Sequence, residues 1–178
     1  MVMDNLIRRL MSPPEKKISK FVHSGIIAAD LGCGPGYFTI PMAEMTGPTG
    51  KVYAVDSDQR SIQALTTKSE SRGLESVIQA HTASAADVSF IPNGFVDFVF
   101  ANGMLCCMND HERAVAEIKR ILKPSGEAYL SVSRLLRRSD SRSVPKEEWR
   151  QILTGFAVKA SGEEFLNRWA IVRTLPPQ

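Results

Sequence analysis

The chain has 178 residues, 43% hydrophobic, 23% charged and 7% aromatic, with a formal net charge of +3. An ordinary apolar fraction and a small net charge exclude a disordered chain, and the length suits one domain whose core needs no staples. Three cysteines, two adjacent at Cys106 and Cys107, exclude a disulfide scaffold and suit a reducing compartment.

No apolar run approaches the roughly 18 residues of a membrane span. Arg8 and Arg9 lead into Ser12-Pro13-Pro14 instead of an apolar segment, so the N-terminus does not read as a signal peptide. We expect a cytoplasmic protein. The positive charge gathers in two places. Residues 1–20 hold Arg8, Arg9, Lys16, Lys17 and Lys20 against Asp4 and Glu15, and 134–142 holds four arginines against Asp140. Solvated segments explain both, with an anionic partner as the alternative.

In chain order, Ile26–Leu31 is a short apolar run that ends in glycines, and Tyr37–Met45 follows with Phe38, Met42 and Met45 on one helical side. Lys51–Asp56 is a second run, followed by a helical pattern over Gln59–Arg72 that brings Ile62 and Leu65 together. Val77–His81 and Phe95–Ala101 are the third and fourth runs. The clearest helix is Asp110–Leu122, with Asn109 as its expected N-cap, Glu112 as the capping-box partner, and Pro124-Ser125-Gly126 as its stop. Glu127–Ser133 is a fifth run, Lys146–Leu153 a further helix, and 156–160 and 169–173 a pair of strands with no helix between them.

Short apolar runs without alternation suit strands buried on both faces, and strand–helix alternation predicts a parallel sheet. The expected fold is α/β: a doubly wound, Rossmann-like sheet of seven strands, five parallel ones finished by an antiparallel hairpin. The whole of 1–178 reads as one domain, with a helical segment over 1–24, a core over 25–134, and a helix plus hairpin over 145–178.

The most informative stretch is Asp30-Leu31-Gly32-Cys33-Gly34-Pro35-Gly36-Tyr37. A buried strand runs into glycines, which admit a ligand close to the backbone, and a helix N-terminus follows. Asp56, at the end of the next strand, can accept from both hydroxyls of a ribose. Together these imply an adenosine-type ligand. A dinucleotide fingerprint needs glycine at position 37, where Tyr37 stands. Asp30, just before the loop, would repel a pyrophosphate but help to hold an ammonium group.

Ala29–Tyr37 resembles motif I of the class I S-adenosylmethionine (SAM)-dependent methyltransferases. Val52–Asp58 resembles their acidic second-strand motif, and Gly94–Val99 their fourth strand. The passage from Ala116 through Glu117, Arg120, Leu122, Lys123 and Pro124 to Gly126 resembles the helix-to-strand passage of the small-molecule, ubiquinone/menaquinone type. The resemblance runs from Ile26 to Val132 and implies S-adenosyl-L-methionine as cofactor. By position it puts Asp30 near the methionine amino group. Gly32, Cys33, Gly34 and Gly36 form the loop that presents backbone, Asp56 meets the ribose hydroxyls, and Ser57, Ser84 and Ala85 lie beside the adenine. Asp87 is a substitute for the usual acid at that last position. Asn102 faces methionine or acceptor.

A catalytic base is not identified by the sequence. Asn102 and His111 are the candidates, though a first-turn histidine such as His111 is expected at the surface. Cys106 and Cys107 are expected to be packing residues, with a soft acceptor as the alternative. No Cys/His grouping has metal-ligand spacing. Ala101-Asn102-Gly103-Met104 lacks the pattern of nucleic-acid amino methyltransferases. The resemblance to the ubiquinone/menaquinone type implies a small-molecule acceptor. The alternatives are RNA or protein contacting the Arg134–Arg142 segment, or a non-catalytic SAM-binding subunit. Arg134, Arg137 and Arg138 are expected near the acceptor side. A homo-oligomer is compatible with the sequence.

Overall fold

The structure is a computed structural model and describes residues 13–134 and 143–175. Among the described residues seven strands form one sheet: β1 (Ile27–Leu31), β2 (Lys51–Asp56), β3 (Ile78–Thr82), β4 (Val96–Asn102), β5 (Leu122–Ser133), β6 (Phe156–Glu163) and β7 (Asn167–Thr174), in the order β3-β2-β1-β4-β5-β7-β6. β3 through β5 pair in parallel, and β7 runs antiparallel between β5 and β6. The expected architecture is observed. Among the described residues no helix is long and apolar enough to cross a membrane.

The helices are α1 (Pro14–Ile18), α2 (Thr39–Thr46), α3 (Gln59–Glu70), α4 (His111–Ile121) and α5 (Lys146–Thr154). Register divides the strand residues between two cores. Ala28, Ala54, Phe98, Phe100 and Tyr129 face Ile18, Met42, Ile62 and Leu65 of the first three helices. Ala29, Leu31, Val99, Ala101 and Leu130 face Ile118, Ile121, Trp149 and Ile152 of the last two. Both faces of the central strands are apolar because both are covered. The chain crosses from β3 to the far side of β1 at β4, and this reversal opens a crevice at the carboxyl ends of β1, β2 and β4.

Two expectations need correction. Asp110, not Asn109, caps α4: its side chain accepts from Arg113 N at 3.1 Å, which is the third helical residue counted from Asp110. Pro124-Ser125-Gly126 is not a stop between elements but part of β5. Val96 pairs with Leu122 and Phe98 with Glu127, so the intervening residues bulge. Gly126 fits closely there, since a Cβ would stand 3.0 Å from Val96 O and from Lys123 O and the backbone would have to give by a few tenths of an ångström. Arg134 follows Ser133 at the carboxyl end of β5, the edge where it is expected, and its guanidinium donates to Glu164 O at 2.7 Å and pairs with Glu163 at 3.7 Å. It ties β5 to the β6–β7 turn. Arg137, Arg138 and the rest of 135–142 lie outside the described residues.

Candidate active site

The glycine loop leaves β1 and is held against β2. Gly32 N and Cys33 N donate to Val55 O at 2.8 and 3.0 Å. Gly32, Gly34 and Gly36 all have positive φ, at 78°, 52° and 86°. The last also needs the missing side chain, because a Cβ on Gly36 would meet Leu65 Cδ1 at 2.5 Å. Asp56 closes the loop from the opposite strand. Its Oδ2 accepts from Gly34 N at 2.8 Å and its Oδ1 from Asp58 N at 2.9 Å. Asp58 in turn caps α3 through Arg60 N and Ser61 N. One carboxylate thus fixes the loop, the end of β2 and the start of the next helix.

A cavity of about 310 Å³ opens beside this arrangement. Of the expected site residues, Gly32, Asp56, Ser57, Ser84, Ala85 and Asn102 line it. Asp30, Cys33, Gly34 and Gly36 do not; they lie in or behind the loop. Asp30 is buried and accepts from Thr39 Oγ1 at 2.7 Å, so it anchors the first turn of α2 to β1. Burial raises its carboxyl to about 7, against the Thr39 hydrogen bond and with the help of the Asp56 charge. Burial, then the charges of Asp30 and Asp56, push the Cys33 thiol up. Cys33 is therefore a packing group and not a nucleophile. Ser84 Oγ accepts from Ala86 N at 3.2 Å, and Asp87 turns away to accept from Ser89 N at 3.3 Å, so Asp87 is no substitute for the lining residues.

Sequence reasoning missed Met104 and Met108 on the other wall, and it weighed Cys107, which stands with them there, as a packing residue or a group for a soft acceptor. The only signal was the apolar character of the segment after β4. It also missed Lys17, whose Nζ donates to Asn102 Oδ1 at 3.1 Å and stands 5.0 Å above the Tyr129 ring. Asn102 Oδ1 also accepts from Ser131 Oγ at 3.0 Å. Tyr129 stacks on Phe100 and Trp169, and burial raises its phenol to about 12.

His111 is not a surface residue. It is 6% exposed, with Nδ1 at 2.5 Å from Glu148 Oε1 and Nε2 at 2.8 Å from Met108 O. Both nitrogens are engaged and the ring does not line the cavity, so it braces α5 against the turn after β4. Among the described residues no group of three or more His, Cys, Asp or Glu side chains is placed to hold a metal ion.

Residues 29–130 match the family model described as a methyltransferase domain. The chain belongs to the methyltransferase domain family. It is 34% identical over 105 residues to the demethylmenaquinone methyltransferase of Geobacillus stearothermophilus, a match covering 59% of this chain and 44% of that protein. It is 32% identical over 107 residues to the nocamycin O-methyltransferase of Saccharothrix syringae, covering 60% of this chain and 38% of that one. The chain spans less than half the length of these curated relatives. Its fold is that of an SAM-dependent methyltransferase from Aquifex aeolicus, with a TM-score of 0.77 at 22% identity over 93% of this chain and 92% of that one.

Proposed function

We propose that this methyltransferase-family chain binds S-adenosylmethionine in the 310 Å³ cavity and transfers its methyl group to a small-molecule acceptor. The observation that carries this reading is the placement of Asp56 in the cavity wall beside Gly32. Each oxygen of its carboxylate takes one backbone N–H from the chain, and each keeps a lone pair for one of two vicinal hydroxyls. The remaining lining fits the same ligand. Ala83 and Ala85 leave room for a flat base, Met104 and Met108 supply apolar surface, and Ser57 and Ser84 supply hydroxyls.

The cofactor, when bound, supplies a methyl group activated by a sulfonium. The chain's own task is to orient and to exclude water. Asp56 fixes the ribose end, the glycine loop presents unshielded backbone, and Asn102 offers a polar group at the opposite wall. Asn102 is a positioning group in this reading. As an amide it neither takes up nor releases a proton at neutral pH. His111 is too far committed to Glu148 and Met108 to serve as base.

A hydroxylated ring of the quinol type is the acceptor class we favour. The named activity of the Geobacillus stearothermophilus relative, a demethylmenaquinone methyltransferase, supports it. The test is transfer of labelled methyl from SAM, first to a panel of hydroxylated quinones and phenols, then to lysate fractions with and without nuclease. Label in a small organic product supports the reading. Label only in a nuclease-sensitive fraction overturns the acceptor class.

A further inference from the structure

The vicinal cysteines lie in a single 3-10 turn, Leu105–Cys107, directly after β4. Both thiols donate to one carbonyl: Gly103 O is 3.0 Å from Cys106 Sγ and 3.4 Å from Cys107 Sγ. A shared acceptor puts the two sulfurs on the same side of the turn. Gly103 makes this possible with φ at 74°, a value other residues rarely adopt. Cys107 is exposed and lines the cavity, and Cys106 is buried beside it. His111, held by Glu148, bonds to Met108 O and so secures the end of the turn.

Cys107, which can turn its single S–H from Gly103 O to a Cys106 thiolate, pulls Cys106 down to about 6 against burial, with the Ser133 backbone and His111 acting in the same direction. The Gly103 carbonyl works the other way and favours the protonated thiol. The thiolate is the ligand form, and soft sulfur donors select soft centres.

We propose that Cys106 and Cys107 form a dithiol site for a trivalent organoarsenical at the mouth of the cavity, and that its occupancy and that of the cofactor exclude one another. When an arsenic(III) oxide binds, two S–As bonds form and the As–O bond breaks. The oxygen leaves as water with both thiol protons, and no oxidation state changes. The exclusion rests on reading the cavity as the cofactor site; the dithiol itself does not.

Phenylarsine oxide is the probe, added to the reduced full chain and followed by intact mass. The expected result is a 1:1 adduct that survives excess 2-mercaptoethanol and is reversed by dithiothreitol. Cys106→Ala and Cys107→Ala each lose this adduct, with the serine variants as a second pair if either alanine variant fails to fold, and Cys33→Ala keeps it. Saturating S-adenosylhomocysteine slows its formation at least tenfold. Absence of the adduct in the wild type, or its persistence in folded Cys107→Ala, overturns the dithiol. An unchanged rate with S-adenosylhomocysteine shown to be bound overturns the exclusion. If S-adenosylhomocysteine does not bind at all, the cofactor reading fails and takes the exclusion with it, while the cysteine variants still decide the dithiol.

Discussion

Lys17 Nζ lies 3.1 Å from Asn102 Oδ1, and this contact fixes which way the Asn102 amide points. An ammonium only donates, so the amide oxygen must face it. Ser131 Oγ donates to the same oxygen at 3.0 Å while accepting from Gly103 N at 3.1 Å. The amide nitrogen is thereby turned away from α1 and β5, in a residue that lines the cavity. Lys17→Met and Ser131→Ala should each cost about 1 kcal/mol. Because they share Asn102, their effects should be coupled by roughly 0.5 kcal/mol or more. A double-mutant cycle by urea denaturation checks this; strict additivity would separate the two.

Arg120 holds together the segment that leads into β4. Its guanidinium donates to Ile91 O at 2.7 Å, Val88 O at 2.9 Å, Asn93 Oδ1 at 2.8 Å and both oxygens of Glu117, while Glu117 accepts from Val88 N at 2.8 Å. Arg120→Lys keeps the charge but loses the planar fork. We expect it to cost about 2 kcal/mol, the worth of one to two charge-assisted bonds, measured as a lowered urea midpoint with unchanged slope. A variant as stable as wild type would contradict this.

Gly34 and Gly36 should differ under the same substitution. Gly34→Ala meets open space and incurs only the strain of positive φ, about 1–2 kcal/mol. Gly36→Ala adds a clash with the fully buried Leu65, about 1–3 kcal/mol more. Thermal melts should rank wild type above Gly34→Ala and that above Gly36→Ala.

Asp30 predicts a pH dependence. Burial raises its carboxyl to about 7 in the folded chain, above the ordinary 3.8 of an exposed aspartate such as the unfolded chain presents. Between these values the folded state holds a proton that the unfolded state has lost, so this contribution to stability is full below about 4 and falls as pH rises through 7. Asp30→Asn keeps an oxygen for Thr39 and does not ionise. Its melting temperature relative to wild type should rise from pH 4 to pH 7 and then level off. A difference that does not change with pH would show that Asp30 is not held protonated.

The strands and the glycine loop were legible because they are local. Apolar runs such as Val52–Val55 are buried on both sides, and the carboxylate that ends β2 meets the loop that ends β1 because the two strands pair side by side. What escaped were contacts between distant segments. Nothing near Lys17 in the chain points to Asn102, 85 positions away. His111 looked exposed because the first turn of an amphipathic helix usually is; α5, arriving later, buries it through Glu148. Lys123–Gly126 reads as a turn, since a β-bulge uses the same glycine and proline signals as a helix stop.

The central claim is that Asp56 holds the ribose of an S-adenosyl ligand, and calorimetric titration with S-adenosylhomocysteine tests it most directly. NAD and NADP run beside it, on wild type and Asp56→Ala, with melting curves to show that the variant is folded. The wild type should bind S-adenosylhomocysteine and neither dinucleotide. The variant should bind it roughly tenfold to a hundredfold more weakly, as expected for losing hydrogen bonds to a charged group. Binding of NAD instead, or an affinity for S-adenosylhomocysteine that Asp56→Ala leaves unchanged, would contradict the account.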